Sequence, residues 1–321
     1  MHPESLRSLL VTGSLLAVLF SFGCGHTRAP AAAKAAPPPP FEYVAEWGQE
    51  GPAPGQLEHP ASLAVDADSD AFIADPGNNV IEKFGTDGHP LLAFKDAVPK
   101  NVSGIAVDAG AGIYAIAPHS GAIYIYKGTG ELLRTMVLWS QRGRETLNSV
   151  AVAGDGSIFV LASDSRSKNS VVRKYTPRGR LMKSWRVATE PANGAERVPA
   201  SIAVGSDSCV YVVDSTGRYL QKFSDNGDPI SDWTWEGNND GTAVGNASGS
   251  GIGVTAAGIV VADPPQLGVR VWTPDGKPRL SDNLGGRLQG SEEFQIVASP
   301  DGELLVLDCT HDRVLRFQMH L

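Results

Sequence analysis

The sequence of 321 residues is poor in cysteine, with only three, at positions 24, 209 and 309. This low count excludes a small fold stapled by many disulfides. Cys209 and Cys309 fall in different units of a repeat described below, and a disulfide requires Cα atoms within about 7 Å. We therefore expect both to be free, mostly buried thiols.

The sequence also lacks an excess of positive charge. Lys and Arg total 27 against 35 Asp and Glu, which gives a formal net charge of −8. Proteins that bind nucleic acids neutralise phosphates with clustered cations. Nucleic acid is therefore not an expected partner.

Sequence motifs of common enzymes are missing as well. No serine lies in the Gly-x-Ser-x-Gly turn of a hydrolase, and GSGIG at 249–253 begins a strand without a following helix, unlike a dinucleotide-binding loop. No pair of carboxylates has a spacing that suggests acid-base catalysis. The sequence therefore gives no direct evidence for catalysis and favours a binding protein.

One apolar stretch of 14 residues runs from Leu9 to Phe22, LLVTGSLLAVLFSF, and follows Arg7. It has the length of the apolar part of a secretion signal and is short for a membrane-spanning helix. The Gly23-Cys24 that follows it resembles the lipobox of bacterial lipoproteins. The resemblance implies a signal peptide over 1–23 and lipid on Cys24, with an ordinary secretion signal or an uncleaved anchor as alternatives.

Residues 24–40 continue as an Ala- and Pro-rich tether that ends in four prolines and has no hydrophobic period. A lipid on Cys24 would make the membrane one partner of the protein. The expected location is the bacterial cell envelope. Gly25 after the cysteine favours the outer membrane by the sorting rule of such lipoproteins, with the protein facing the periplasm or the exterior.

The rest of the chain is rich in turn-forming residues, with 36 Gly and 22 Pro, as expected of an all-β fold. A pattern of large aliphatic, small residue and Val recurs six times, in degraded form the last time. It begins at Leu63, Ile105, Val150, Ile202, Ile252 and Ile296. Units of 40 to 50 residues with several short strands are typical of propeller blades.

A second apolar run follows in each unit, and in five of the six an aromatic residue comes nine residues after the end of that run, as in Asp75 and Phe84. Polar and apolar residues alternate in VIEKF and YLQKF, which predicts half-buried strands. The stretch from Gly55 to Gly88 resembles an NHL repeat, with Asp75, Asn78 and Phe84 at matching positions. The resemblance covers 41–321 and implies a six-bladed β-propeller, a fold that hosts both enzymes and binding proteins.

Ring closure is also predicted. The last unit stops after its third strand, and FEYVAEWG at 41–48 precedes the first unit without a blade of its own. Pairing Tyr43–Trp47 beside Arg313–Gln318 would supply the missing outer strand and remove exposed edges. The predicted fold is thus an all-β, six-bladed propeller closed by its N-terminal strand.

One rim of this propeller is the default ligand-binding face, because sites collect on loops of a rigid scaffold. The candidate residues at this rim are His59, Asn78, His119, Arg218, Gln266 and His311. In the alternative interpretation, His59, His119 and His311 hold zinc for a lyase or hydrolase resembling the peptide-amidating lyases or the lactonases. No His recurs at an equivalent repeat position, which favours exposed loop histidines instead.

Two further sets of residues have structural interpretations. Serines precede the inner strands at 62, 103, 149, 201 and 250, where small side chains fit the crowded axis or could present hydroxyls to a ligand. Aspartates follow the inner strands at 66, 108, 155, 207 and 301, where Asp caps its own turn. No cofactor is expected, while zinc and calcium stay open. The favoured function is a scaffold that binds an unidentified protein, peptide or glycan.

Overall fold

The structure is a computed structural model that describes residues 37–95, 98–138, 145–164, 169–188, 198–235 and 248–321. Its strands form six sheets, five of four antiparallel strands and one of five strands, which are the blades of a propeller. The predicted all-β, six-bladed architecture is confirmed. The predicted signal peptide and Cys24 lie outside the described residues, as does the tether up to residue 36.

The strands follow the repeat. Blade 1 consists of β2 (Ser62–Val65), β3 (Ala71–Asp75), β4 (Val80–Phe84) and β5 (Pro90–Phe94). Blade 2 consists of β6 (Gly104–Val107), β7 (Ile113–Ile116), β8 (Ala122–Tyr126) and β9 (Leu132–Val137). Blade 3 consists of β10 (Glu145–Val152), β11 (Ile158–Asp164), β12 (Ser170–Tyr175) and β13 (Leu181–Val187). Blades 4 and 5 consist of β14 (Pro199–Val204), β15 (Val210–Asp214), β16 (Tyr219–Phe223), β17 (Pro229–Thr234); and β19 (Ile252–Val254), β20 (Ile259–Asp263), β21 (Gly268–Trp272), β22 (Pro278–Asp282).

Blade 6 contains β23 (Glu293–Ala298), β24 (Glu303–Asp308) and β25 (Arg313–Met319), and its outer strand is β1 (Phe41–Trp47). Tyr43 pairs with Phe317 and Trp47 with Val314, so the predicted closure is confirmed. The short β18 (Ser248–Ser250) adds to the inner edge of this sheet, parallel to β23. Two short 3-10 helices, Pro264–Gln266 and Leu284–Gly286, lie before and after the outer half of blade 5.

The hydrophobic core lies between blades. The second strand of each blade is buried along most or all of its length because neighbouring blades cover both of its faces; β3 and β15 have no exposed residue. Phe72 of blade 1, for example, shares a cluster with Ile105 and Tyr126 of blade 2. The aromatic residues that recur in the repeat close the third strands and are buried. Each blade is therefore stable only beside its neighbours.

The alternation in VIEKF and YLQKF was expected to leave polar side chains at a half-exposed surface, and this is wrong for the central residue of each strand. Glu82 and Gln221 are each only 4% exposed. In blades 1 and 4 the segment that enters the blade passes over this position: the amide of Gly55 donates to Glu82, and Gln221 exchanges two hydrogen bonds with the backbone of Ala188, of 3.1 and 3.0 Å. These polar residues anchor inter-blade segments instead of facing solvent.

The outer strand of every blade carries a β-bulge at the same register. The residues skipped in the pairing are Val44, Leu91, Leu133, Met182, Ile230 and Arg279. Bulges disturb the hydrogen-bonding edge of a strand and so discourage pairing with another chain. The outer rim is thus protected although its strands have a free edge.

Two smaller expectations concern cysteines and membrane spans. Cys209 is half-buried and Cys309 buried, and both are free thiols. Burial raises the pKa of the Cys309 thiol. Within the residues described, no helix is long and apolar enough to cross a membrane.

Candidate functional site

The six candidate residues occupy one face of the propeller, which we call the upper face. Each inner strand begins at this face, and each turn between the second and third strands lies on it. His59 precedes β2, and the other five candidates lie in second-to-third-strand turns: Asn78, His119, Arg218, Gln266 and His311. Repeat symmetry therefore brings them to one face, in five different blades.

The candidates in blade 1 are held by backbone and carboxylate contacts. Asn78 donates from Nδ2 to Asp75 Oδ2 and to the carbonyl oxygen of Gly51, both at 2.8 Å. His59 has an exposed side chain and a left-handed backbone with φ of 53°. Its amide donates to Asp312 Oδ1 of blade 6 at 2.8 Å. Asn78 thus has a structural role, while the His59 imidazole faces solvent.

His311 lies beside a serine and an aspartate, which invites comparison with a hydrolase triad. Its Nδ1 is 2.9 Å from Asp308 Oδ2, and Ser291 Oγ is 3.5 Å from the same Nδ1. A triad requires the carboxylate on one ring nitrogen and the hydroxyl on the other. The arrangement therefore cannot relay a proton from Ser291 through the ring to Asp308.

The three candidate histidines do not form a metal site. No group of three His, Cys, Asp or Glu side chains within the described residues is arranged to hold a metal ion. His119 and His59 are exposed in turns of different blades, and His311 is occupied by Asp308. The zinc alternative has no ligand cluster in this geometry.

Arg218 and Gln266 lie at the junction of blades 4 and 5. The backbone amide of Arg218 donates to Asp214 Oδ1 at 3.0 Å, and Gln266 ends a 3-10 helix. Beneath them, Arg270 Nε lies 2.8 Å from Asp263 Oδ2 in a pair that is almost fully buried. The Arg270 guanidinium also lies 5.3 Å from the ring centre of Trp235. This junction is a packed ionic and aromatic core.

A central cavity of about 490 Å³ runs along the propeller axis, lined by the inner strands of all six blades. Its wall consists of backbone, aliphatic side chains and neutral polar side chains. The polar residues nearest the upper face are Ser62, Ser103, Asn148, Ser149, Ser201 and Gln295. None of the described residues that line it has an acidic, basic, thiol or phenol side chain.

Most of the hydroxyls and amides at this end of the cavity tie one blade to the next. Ser62 Oγ accepts from the amide of Ile105 at 3.0 Å, and Ser149 Oγ accepts from Ile202 at 3.3 Å. Asn148 and Gln295 donate to carbonyl oxygens of the following blades. Ser103 differs, because its Oγ has no hydrogen-bond partner in the described part of the chain. Ser103 Oγ is therefore a buried hydroxyl, unsatisfied within the described residues, that is not exposed to the cavity.

The aspartates that follow the inner strands act as turn residues at the opposite, lower face. Asp66 Oδ1 accepts from the amides of Asp68 and Asp70, both at 3.0 Å. Asp108 Oδ1 accepts from two glycine amides in the same way. Their carboxylates cap separate turns in separate blades, as the sequence indicated.

Comparison with known proteins identifies the fold and no family. No family model and no curated protein matches the chain. A virginiamycin B lyase from Staphylococcus aureus is 14% identical with a TM-score of 0.55, over 80% of this chain and 79% of that one. A streptogramin B lyase is 13% identical with a TM-score of 0.58, over 87% and 98%.

A third similar structure is the hydrazine synthase of Kuenenia stuttgartiensis, 14% identical with a TM-score of 0.56 over 81% of this chain and 84% of that one. Similarity at this level of identity shows that the propeller fold is shared and carries no activity across. The resemblance to NHL repeats stays a prediction from the residues quoted above.

The sequence favoured the rim as the ligand-binding face and raised the axial serines only as an alternative to small residues that fit the crowded axis. Serines before the inner strands were the available signal, but the sequence cannot distinguish a hydroxyl that bonds the next blade from one that is free. The structure makes that distinction for Ser62 and Ser103.

Proposed function

We propose that this protein is a binding propeller that takes an uncharged polar segment of a glycan or peptide at the upper mouth of its central cavity. The observation that carries the proposal is the neutral lining of a cavity of about 490 Å³. Catalysis by general acids or bases needs titratable groups within roughly 3 Å of the reacting atom. This cavity instead offers hydroxyl, amide and aliphatic groups.

The chemistry of the mouth suits a ligand rich in hydroxyl or amide groups. Ser62, Ser149 and Ser201 line the mouth with hydroxyl groups that can donate to a ligand, and the adjoining aliphatic residues, such as Ile105, supply apolar contacts. A charged ligand would lose its hydration without a compensating charge in the wall. The preferred ligand class is therefore a neutral oligosaccharide or an uncharged stretch of peptide.

The proposed setting is the bacterial cell envelope, with the propeller anchored through lipid on Cys24 and the Ala- and Pro-rich tether. The sequence of residues 1–40 supports this part of the proposal. A tethered scaffold would hold its ligand close to a membrane without chemical change of that ligand.

A thermal-shift screen of the full chain against neutral oligosaccharides and uncharged peptides tests the proposal. A ligand that binds should raise Tm. Replacement Ser201→Leu, at a residue that lines the mouth, should weaken binding of that ligand by about tenfold or more. Leu91→Gln, on the exposed outer strand of blade 1, is the matched control and should bind as the wild type does. Binding that survives Ser201→Leu would refute a site at the cavity.

A lyase is the second candidate, favoured by the two lyases among the similar folds. A histidine-to-alanine variant of the staphylococcal enzyme is described as catalytically inactive, and this chain carries three histidines on its upper face. Incubation of the protein with a streptogramin B antibiotic, followed by mass spectrometry, tests the candidate. Cleavage lost in one of His59→Ala, His119→Ala or His311→Ala would support it over the binding proposal.

A further inference from the structure

The segment that joins β1 to β2 crosses the seam where the two ends of the chain close the ring. We call this segment, residues 48–61, the connector. Three carboxylates accept hydrogen bonds from its backbone amides: Glu82 from Gly55 at 3.2 Å, Asp75 from Glu58 at 3.1 Å and Asp312 from His59 at 2.8 Å. Three carboxyl groups thus hold the connector against blades 1 and 6 through its backbone amides.

All three carboxylates are buried. Glu82 is 4% exposed, Asp75 is fully buried and Asp312 is 7% exposed. Glu82 and Asp75 lie on neighbouring strands of blade 1, and Asp312 comes from blade 6. Because like charges gather under the connector, its closure is unfavourable when all of them are ionised.

We propose that the connector is a pH-sensitive latch on the upper face, closed when Glu82 is protonated and released when Glu82 is ionised. Ser62, which follows the connector directly, lines the cavity mouth. His59, a candidate residue of the upper face, belongs to the connector itself. In this respect the inference rests on the proposed function, because the latch would regulate that same site.

The direction of the switch follows from burial. Burial raises the pKa of Glu82 to about 7, an effect that the amide of Gly55 opposes. The negative charge of Asp75 raises it further, and Lys95 lowers it. Burial also raises the pKa of Asp75, and the negative charge of Asp312 adds to this effect. Hydrogen bonds from Asn78 and Glu58 act in the opposite direction and lower that pKa.

When the connector lifts, Glu82 meets water and its pKa returns towards the ordinary value of 4.5. The closed form therefore binds the proton more tightly, so acid favours closure. As pH rises through 7, ionised Glu82 stays buried only at a cost, and opening becomes easier.

Blade 4 contains a natural control. Gln221 occupies the central position of its third strand, as Glu82 does in blade 1, and anchors Ala188 through two hydrogen bonds. An amide does not titrate, so this anchor should not respond to pH. The two blades therefore differ in whether the residue that anchors the entering segment can titrate: Glu82 can, and Gln221 cannot.

Hydrogen exchange of the full chain, measured by mass spectrometry and corrected for the intrinsic effect of pH, tests the latch without any ligand. Opening of the connector should increase about ten- to thirtyfold between about pH 5.5 and about pH 8.5. A peptide that contains Ala188 should show no such change. Equal opening of the connector at both pH values would overturn the proposal.

Two variants refine the test. Glu82→Gln keeps an acceptor for the Gly55 amide and should abolish most of the pH dependence. Lys95→Met, at an exposed position, should fold normally and move the transition to higher pH because it removes a cation that favours ionised Glu82. A transition that does not move in Lys95→Met and persists in Glu82→Gln would assign it to another group. Failure of the ligand screen alone would leave this result untouched.

Discussion

Trp47 packs directly on Gly88, and this contact crosses the seam of the ring. A Cβ at Gly88 would lie 2.8 Å from Cγ of Trp47. The same relationship recurs along the chain between an outer strand and the Gly of the next blade's last turn. The other pairs are Phe94 with Gly130, Met136 with Gly179, Trp185 with Gly227 and Trp233 with Gly276. The glycine of the turn between the third and fourth strands thus leaves room for a large side chain of the preceding blade.

Replacement Gly88→Ala should destabilise the protein by about 2–4 kcal/mol, measured as the free energy of unfolding in urea. A φ of +81° costs an alanine about 1–2 kcal/mol, and the clash with the Trp47 ring adds a similar amount. Gly285→Ala is the control, because Gly285 has φ of +67° and open space where its Cβ would lie. Equal losses in the two variants would mean that contact with Trp47 contributes nothing.

Deletion of residues 1–36 should leave a cooperatively folding propeller, whereas deletion of 1–47 should not. The longer deletion removes β1, which pairs with β25 along its whole length. Tyr43 also packs edge-to-face on Phe317 at 5.9 Å. An exposed β25 edge would promote association, so size-exclusion chromatography should show large species for the longer deletion alone. Monomeric, cooperative folding without β1 would contradict the structural role of closure.

Ser62→Ala should cost about 1–2 kcal/mol in unfolding free energy because it leaves the buried amide of Ile105 without its acceptor. Ser103→Ala should change stability by less than about 0.5 kcal/mol, since that hydroxyl has no partner among the described residues. Ser103 lies one residue before Gly104, the counterpart of Ser62 in blade 2, so the two variants compare a bonded and an unbonded hydroxyl at the same end of the cavity. Similar losses in both variants would refute the assigned difference.

The parts of the fold that were predictable from sequence are those where burial dictates residue type. The recurring Val and the aromatic residue of each unit mark strands covered on both faces, and Phe84 and Trp272 are indeed buried. Closure followed from a missing strand at one end and a spare one at the other. Glu82 could not be interpreted in this way, because its burial depends on a connector that a local pattern does not place.

The sequence predicted which residues lie on the upper face better than it predicted what each of them does there. Asn78 matched a repeat position, and its Nδ2 donates hydrogen bonds to Asp75 and to the carbonyl oxygen of Gly51 in the connector. His311 was a candidate metal ligand, but its Nδ1 faces Asp308. Sequence places such residues on one rim by repeat symmetry, whereas their hydrogen-bond partners come from distant segments.

Asp207→Asn should reduce the loss of stability that the protein suffers in strong acid. Burial acts to raise the pKa of Asp207, but hydrogen bonds from Lys222 and Tyr211 outweigh it and lower the pKa to about 2. The stabilisation from ionised Asp207 is present above the ordinary pKa of 3.8 and is lost as pH falls towards 2. Urea unfolding at about pH 5 and about pH 2.5 should show a smaller difference in the variant. Because the Asp207 side chain is 42% exposed, salt should weaken the effect.

Mass spectrometry of the mature protein, expressed in a bacterium and isolated from membranes, should find Cys24 as the first residue, carrying lipid on its sulfur and amino group. Gly23-Cys24 directly follows the apolar stretch, and a thiol is required at Cys24 for the thioether to the lipid. Cys24→Ser should therefore abolish lipidation and release the protein from the membrane fraction. Cys209→Ser should leave anchoring unchanged, since its half-buried thiol belongs to the folded propeller. An unmodified N-terminus at any other residue would contradict the lipoprotein assignment and leave the binding proposal to be judged on the cavity alone.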